Sequence, residues 1–98
     1  MLYKLEIHPG AEDDVDIAYH WYEDQLSGLG ETFLIELEGY YRKLEQNPEV
    51  HSKISRRLRQ VIFTRFPYVL VYEIIKFEVH VYSVFHTSRN PKEKFKRK

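Results

Sequence analysis

The feature that most restricts the fold of this chain is a change in the spacing of its apolar residues near residue 50. Before that point apolar residues recur every three or four positions, which is the period of a helix that buries one face. After it they form three short runs, a pattern typical of strands. An earlier segment, Leu2 to His8, alternates apolar and polar residues and predicts one more strand. This order of elements predicts an α+β domain.

The helical part divides into two helices. The first begins at Pro9, because a proline at the first helical position loses no hydrogen bond. Ser27 to Gly30 interrupts the pattern, and a second stripe then runs from Phe33 to Leu44 and stops at Asn47-Pro48. A connection this short predicts an antiparallel two-helix hairpin. Gly39 costs about 1 kcal/mol relative to alanine inside a helix, so we expect close packing there.

The three apolar runs predict a three-stranded antiparallel meander, with the helices packed on one face of the sheet. The predicted strands are Arg57 to Phe66, Tyr68 to Ile75 and Val79 to Phe85. The middle run is almost continuously apolar, so we expect it to be central and covered on both faces. Phe66-Pro67 marks the first turn, since proline cannot donate to a strand ladder. Lys76-Phe77 must form the second turn, although neither residue is a favoured turn former.

Length and composition restrict the class of protein further. We expect residues 1–98 to form a single domain, with a basic, mobile tail from about residue 91. The absence of cysteine fits a reducing compartment, so we expect a cytoplasmic protein. Without a run of about 18 apolar residues we expect no membrane-spanning helix. The five histidines lack metal-ligand spacing and Gly28 is explained by the helical turn, so we expect no metal and no cofactor.

The charge of the chain is zero overall but strongly divided along the sequence. Residues 1–50 contain 12 acidic and 3 basic side chains, a net charge of −9. Residues 51–98 contain 12 basic and 3 acidic side chains, a net charge of +9. Such a division favours binding of a polyanion or of an acidic partner by the second half. If folding gathers these cations, they form one exposed patch near the last strand.

Several stretches, in this order and spacing, resemble the RelE/ParE superfamily of bacterial type II toxins. They cover nearly the whole chain and are Tyr3 to Pro9, Trp21 to Glu23, Gly28 to Leu34, Arg56 to Arg59, Arg65 to Tyr68 and His86 to Pro91. The resemblance implies a toxin that a cognate antitoxin holds inactive. Arg65 to Tyr68 and the His-x-x-Arg-x-Pro segment look more like the ParE-type, plasmid-stabilisation branch.

This resemblance implies two mechanisms. ParE-like members poison DNA gyrase, whereas RelE-like members cut mRNA in the ribosomal A site. The resemblance favours gyrase as the target and keeps mRNA cleavage as the alternative. A non-toxic module that binds only an antitoxin or nucleic acid is a further alternative. A homodimer and a hetero-oligomer with the antitoxin both stay open.

The candidate target-binding residues are cations and aromatic side chains of the meander and the tail. They are Arg56, Arg57, Arg59, Arg65, Tyr68, Tyr72, Arg89 and Lys92. Arginine can hold phosphate with two parallel hydrogen bonds, and tyrosine can stack on a base. By strand alternation Arg57 and Arg59 share a face, either solvated or available to an acidic antitoxin. The spacing of the two tyrosines along an apolar strand is more typical of core positions.

A metal-independent endoribonuclease activity would use His86, Arg65 and Arg89. His86 ends the last predicted strand, where its imidazole can serve as acid or base or can simply cap the strand end. Glu73 is the best candidate for a separate base, but alternation after Tyr72 directs it to the opposite sheet face. These residues therefore do not assemble an acid–base pair. The chain also lacks the lysine-rich set and the carboxy-terminal tyrosine of RelE-like nucleases.

Overall fold

The computed structural model describes residues 2–88, so Arg89 and the predicted mobile tail, which contains Lys92, lie outside the described residues. The predicted α+β order is confirmed, with both helices on one face of a four-stranded sheet. A short 3-10 helix, Pro48–Val50, follows the helical hairpin. The other elements are β1 (Lys4–Ile7), α1 (Pro9–Gln25), α2 (Leu29–Gln46), β2 (Leu58–Ile62), β3 (Tyr68–Ile75) and β4 (Glu78–His86).

The strand order within the described residues is β1-β4-β3-β2. β2, β3 and β4 form the predicted antiparallel meander, and β3 is central in it. β1 lies at the edge beside β4 and pairs with it in parallel, a position that the sequence left open. A parallel pair needs a long crossover between its strands, and the helical hairpin lies within that crossover. The sheet is therefore mixed.

The centre of the core is a group of aromatic rings around Phe33 of α2, whose side chain is fully buried. Its ring centroid lies 5.6 Å from that of Tyr22 on α1. It also lies 5.5 Å from Phe63, 5.3 Å from Phe66 and 5.1 Å from Tyr68. Aromatic pairs at these distances stabilise a core beyond the area that they bury. Phe33 thus joins both helices to the end of the sheet where β2 turns into β3.

β3 is covered on both faces, as its apolar run predicted. Leu70 and Tyr72 face the helices and belong to the main core. Val69 and Val71 face the other way and form a smaller cluster with Phe85. Ile54 and Leu58, from the segment that leads into β2, pack against this second cluster.

β2 ends at Ile62, four residues earlier than the sequence predicted. Phe63 and Phe66 both point into the core, and their spacing of three breaks the alternation of a strand. The backbone N–H groups of Thr64 and Arg65 donate to a side chain of α2 and are not part of a strand ladder. Residues 63–67 therefore form a turn, which we call the Arg65 turn.

The predicted hairpin at Lys76-Phe77 is confirmed. Ile75 pairs with Glu78, which leaves two residues in the turn. Lys76 adopts the left-handed conformation, with φ at 55°, so the turn forms without a glycine. Lysine is not a residue typical of this conformation, which is why the residue types gave so weak a turn signal.

The close helix approach lies at Gly30, and the prediction for Gly39 was wrong. A Cβ at Gly30 would lie 2.8 Å from both a ring carbon and the carbonyl oxygen of Tyr19. A Cβ at Gly39 would meet no atom within 4 Å. Glycine is therefore required where α1 and α2 come together and is replaceable on the open side of α2.

The two glycines give a matched pair of stability variants. We expect Gly39→Ala to raise the free energy of unfolding by about 0.5–1 kcal/mol, because alanine restricts the unfolded chain and is the better helix former. We expect Gly30→Ala to lower it by about 1–3 kcal/mol, because the added methyl group overpacks the helix contact. Urea unfolding followed by fluorescence of the single tryptophan measures both. Equal stability of Gly30→Ala and the parent would contradict the described contact with Tyr19.

Candidate target-binding surface

Within residues 2–88, the exposed arginines of the predicted target-binding set lie at both ends of β2 and not in one patch. Arg56 and Arg57 precede β2, whereas Arg65 lies in the turn that follows it, and all three are exposed. At about 3.3 Å per residue, the five residues of β2 separate the two groups by roughly 16 Å. The sequence expectation of a single patch therefore does not hold for the described arginines. Of these three arginines, Arg65 is the one at the sheet end where β4 finishes.

Arg57 faces Glu73 on the side of the sheet away from the helices. Its Nε atom lies 3.7 Å from a carboxylate oxygen of Glu73. Glu73 also accepts a 2.7 Å hydrogen bond from the Tyr82 hydroxyl. Burial, followed by this bond, raises the pKa of Tyr82 to about 12, so its hydroxyl stays a donor at neutral pH. Glu73 thus lies opposite to Tyr72, as predicted, and is committed to neighbours at the hairpin end of β3.

Arg59 supports the structure and does not share a face with Arg57. Its Nη1 atom donates to the carbonyl oxygens of Glu49, at 3.0 Å, and His51, at 2.7 Å. β2 begins at Leu58, so strand alternation does not extend back to Arg57. This is why the sequence prediction of a shared face was wrong. Arg59 holds the segment after the 3-10 helix against β2.

Tyr68 and Tyr72 are core residues with relative exposures of 5% and 0%. The Tyr72 hydroxyl donates a 2.5 Å hydrogen bond to the carbonyl oxygen of Pro48. Burial raises the pKa of Tyr72 to about 12, against an opposing effect from Arg59. The Tyr68 ring packs on Phe33. Neither tyrosine presents an open face to a base, so their predicted stacking role has no basis in this conformation.

His86 lies at the end of β4, where it pairs with Tyr68 at the start of β3. The two ring centroids are 5.3 Å apart in an edge arrangement. The His86 Nδ1 atom accepts a 3.0 Å hydrogen bond from the backbone N–H of Ser88. A neutral ring in this arrangement carries its proton on Nε2. Thr87 donates to the carbonyl oxygen of Pro67 at 2.8 Å, which joins this strand end to the Arg65 turn.

The structure therefore brings part of the predicted catalytic set together. His86 and Arg65 lie at the same end of the sheet, while Arg89 falls outside the described residues. Glu73 pairs with Leu58 and His80 at the other end, away from His86. An acid–base pair between His86 and Glu73 is thus not formed.

Glu36 of α2 is a contact residue that the sequence did not reveal. Its Oε2 atom accepts hydrogen bonds from the Thr64 N–H at 2.8 Å, the Thr64 hydroxyl at 3.1 Å and the Arg65 N–H at 3.3 Å. The Tyr40 hydroxyl donates to the same oxygen. Burial opposes ionisation, but the hydrogen bonds from Tyr40, Thr64 and Arg65 outweigh it and hold the pKa of Glu36 below its ordinary value. The partners are 28 and 29 residues away in sequence, so no local pattern could predict them.

The helical side of the molecule is acidic. A groove of about 420 Å³ runs between α1 and α2 over an apolar floor. Burial, followed by the charges of Glu12 and Glu38, raises the pKa of Tyr41 to about 12. The groove is lined by Ile7, Glu12, Val15, Asp16, Tyr19, His20, Leu34, Leu37, Glu38 and Tyr41. A polyanion would be repelled from this side, which leaves the arginines at the ends of β2 as its candidate contacts.

Residues 2–88 contain neither a candidate metal site nor a candidate membrane-spanning helix. That part of the chain holds no group of three His, Asp or Glu side chains arranged to bind a metal ion. None of its helices has both the length and the apolar character needed to cross a membrane.

A family model described as "ParE toxin of type II toxin-antitoxin system, parDE" matches residues 5–91. The chain belongs to the ParE toxin family. The curated Toxin ParE2 of Mycobacterium tuberculosis is 22% identical over 92 residues, which cover 93% of this chain and 88% of that toxin. The RelE/ParE resemblance is confirmed by these matches.

Two solved structures share the fold of this ParE-family chain. A structure of the chromosomal ParDE system from P. aeruginosa aligns with a TM-score of 0.78 and 13% identity, over 89% of this chain and 98% of that one. A mutant of E. coli toxin RelE in the free state aligns with a TM-score of 0.63 and 19% identity, over 99% of this chain and 98% of that one. At these identities the two matches show the fold alone.

The structural role of Arg59 can be separated from a surface role by stability measurements. We expect Arg59→Ala to lower the free energy of unfolding by about 1–3 kcal/mol, because it leaves two carbonyl groups without their donor. Arg56→Ala is the matched control and should change stability by less than about 0.5 kcal/mol, since Arg56 is exposed. Thermal unfolding measures both. Equal effects of the two substitutions would contradict the assignment of Arg59 to the structure.

Proposed function

We propose that this ParE-family chain is a cytoplasmic toxin that inhibits growth by binding DNA gyrase through the Arg65 end of the sheet. Membership of a type II toxin family supports toxicity and pairing with an antitoxin. The observation that carries the proposal is the presentation of Arg65. Its side chain is exposed, and within residues 2–88 it forms no ion pair with the acidic helices. Its turn is anchored by buried Phe63 and Phe66 on either side.

A binding role fits this geometry better than RNA cleavage. Binding requires an exposed cation on a rigid turn, and the Arg65 turn supplies one. Cleavage requires an acid and a base beside the scissile phosphate. Glu73 is held by Tyr82 at the far end of the sheet, and His86 Nδ1 accepts a hydrogen bond from Ser88. Ribosome-dependent mRNA cleavage is therefore the second candidate, supported by the shared position of His86 and Arg65 and by the similar fold of RelE.

The charge distribution also supports a choice of surface for the antitoxin. The helices carry most of the acidic side chains, and the groove between them is lined by Glu12, Asp16 and Glu38. An acidic antitoxin segment would be repelled there and attracted to the arginines at the ends of β2. The proposed antitoxin contact therefore includes Arg65 and excludes gyrase from the same surface.

The first test is substitution of Arg65. We expect Arg65→Ala to raise the concentration needed for half-inhibition of gyrase supercoiling about tenfold or more, because one hydrogen bond to a charged group contributes about 1.5–3 kcal/mol. Arg65→Lys should restore part of this loss, since lysine keeps the charge but not the planar geometry. Arg42→Ala, which removes an exposed arginine of α2, is the matched control and should leave inhibition unchanged. Colony counts after expression without antitoxin give the same ranking in cells.

Other outcomes would identify the alternative functions. Undisturbed gyrase, together with cuts in translated mRNA that disappear in His86→Ala, would replace the gyrase proposal with mRNA cleavage. Primer extension on translated message detects such cuts. A folded chain that binds its antitoxin tightly but changes neither growth, supercoiling nor mRNA would be a non-toxic binding module.

A further inference from the structure

We propose that Glu36 is the positioning residue for Arg65: its carboxylate holds the Arg65 turn in the conformation that presents this arginine to the target. The inference rests on the proposed function of Arg65 and adds a residue on another element to the same surface. Glu36 does not touch the target in this proposal. It acts through the backbone of the turn.

The first observation is how many donors from one turn converge on one atom. Oε2 of Glu36 accepts from the Thr64 N–H, the Thr64 hydroxyl and the Arg65 N–H, at 2.8, 3.1 and 3.3 Å. The Tyr40 hydroxyl donates to the same oxygen and accepts a 3.1 Å bond from the Thr64 N–H. Hydrogen bonds to an ionised acceptor are stronger than those between neutral groups. The backbone at Thr64 and Arg65 is thus oriented by a charge on α2.

The second observation is that the turn has few bonds of its own. The Phe63 N–H donates to the Tyr68 carbonyl oxygen at 3.0 Å, and the Tyr68 N–H donates to the Phe66 carbonyl oxygen at 2.8 Å. Neither bond uses the N–H groups of Thr64 or Arg65. Without Glu36 the Arg65 N–H would turn to water and the Thr64 N–H would keep only the Tyr40 hydroxyl, and water can reach both groups because both residues are exposed. Loss of Glu36 would therefore relax the tip of the turn while Phe63 and Phe66 stay buried.

The third observation is that the Arg65 side chain is left available. Glu36 bonds the backbone of Arg65, and within residues 2–88 no ion pair joins its carboxylate to the guanidinium group. The second carboxylate oxygen, Oε1, is buried and has no hydrogen-bond partner among those residues. The arrangement therefore fixes the main chain beneath Arg65 without neutralising its charge.

The pH dependence of the turn supplies a readout of this contact. Hydrogen bonds from Tyr40 on α2 and from Thr64 and Arg65 in the turn favour the ionised form, so the pKa of Glu36 lies below its ordinary 4.5 despite burial. A lowered folded-state pKa means that the stabilisation is fully present above the unfolded value and is lost as pH falls through the folded value. The turn should therefore be intact at neutral pH and be released only in stronger acid than an ordinary glutamate requires.

The test compares Glu36→Ala and Glu36→Gln with Glu38→Gln, a matched control on the same helix that faces the groove. The full chain is purified from its antitoxin, and amide NMR, unfolding and gyrase supercoiling are measured on each variant. We expect Glu36→Ala to shift the Thr64 and Arg65 amide resonances and to weaken gyrase inhibition about tenfold per folded molecule. Glu36→Gln keeps an acceptor oxygen and should fall between Glu36→Ala and the parent. Glu38→Gln should change neither the Thr64 and Arg65 amide resonances nor the inhibition of gyrase.

A double variant distinguishes positioning from general stabilisation. If Glu36 acts through Arg65, Glu36→Ala combined with Arg65→Ala inhibits no more weakly than Arg65→Ala alone. Parental inhibition by folded Glu36→Ala or Glu36→Gln, alongside a weakened Arg65→Ala, would overturn the inference and leave the proposed function standing. Unshifted Thr64 and Arg65 amides in these variants would overturn it as well. Parental inhibition by Arg65→Ala would instead overturn the proposed function.

Discussion

The packing of Phe33 against four aromatic rings is the contact on which the arrangement of this domain depends. Tyr22 comes from α1, Phe63 and Phe66 from the Arg65 turn, and Tyr68 from the start of β3. Once Phe33 is seated, the next helical turn of α2 places Glu36 above the turn. The apolar contact sets the distance between helix and sheet, and the carboxylate then orients the backbone. The same end of the sheet carries His86.

Segregation of charge follows from this architecture. The acidic residues of the first half occupy helices on one face of the sheet, while the described arginines of the second half lie at the two ends of β2. Ion pairs between the two sets would cancel the surface potential, yet the ion pair of Arg57 is with Glu73 of the sheet. The chain is thus neutral in sum but presents surfaces of opposite sign. Partners of opposite charge can bind such a molecule at different places.

Much of the fold followed from periodicity, but the candidate surface did not. Alternation and helical spacing located the strands and helices, and the meander followed from three closely spaced strands. The same alternation failed at Arg57, because β2 begins only at Leu58, and it failed beyond Ile62, because Phe63 and Phe66 both turn inward. Alternation is valid only inside a strand, and strand ends are set by partners elsewhere in the chain. Glu36 was missed because its hydrogen-bond partners, Thr64 and Arg65, lie 28 and 29 residues away in the sequence.

The sequence by itself determined the element order, the buried face of each helix, the burial of β3 and the division of charge, because each depends on residue types at short spacing. Tertiary structure alone decided that β1 pairs in parallel with β4, that Arg59 donates hydrogen bonds to backbone carbonyl groups and that the Tyr72 hydroxyl donates to Pro48. It also decided that, among the arginines of residues 2–88, Arg65 is the one at the sheet end that carries His86. These outcomes depend on which distant groups satisfy each buried donor and acceptor, and that pairing is settled only when the helices close over the sheet.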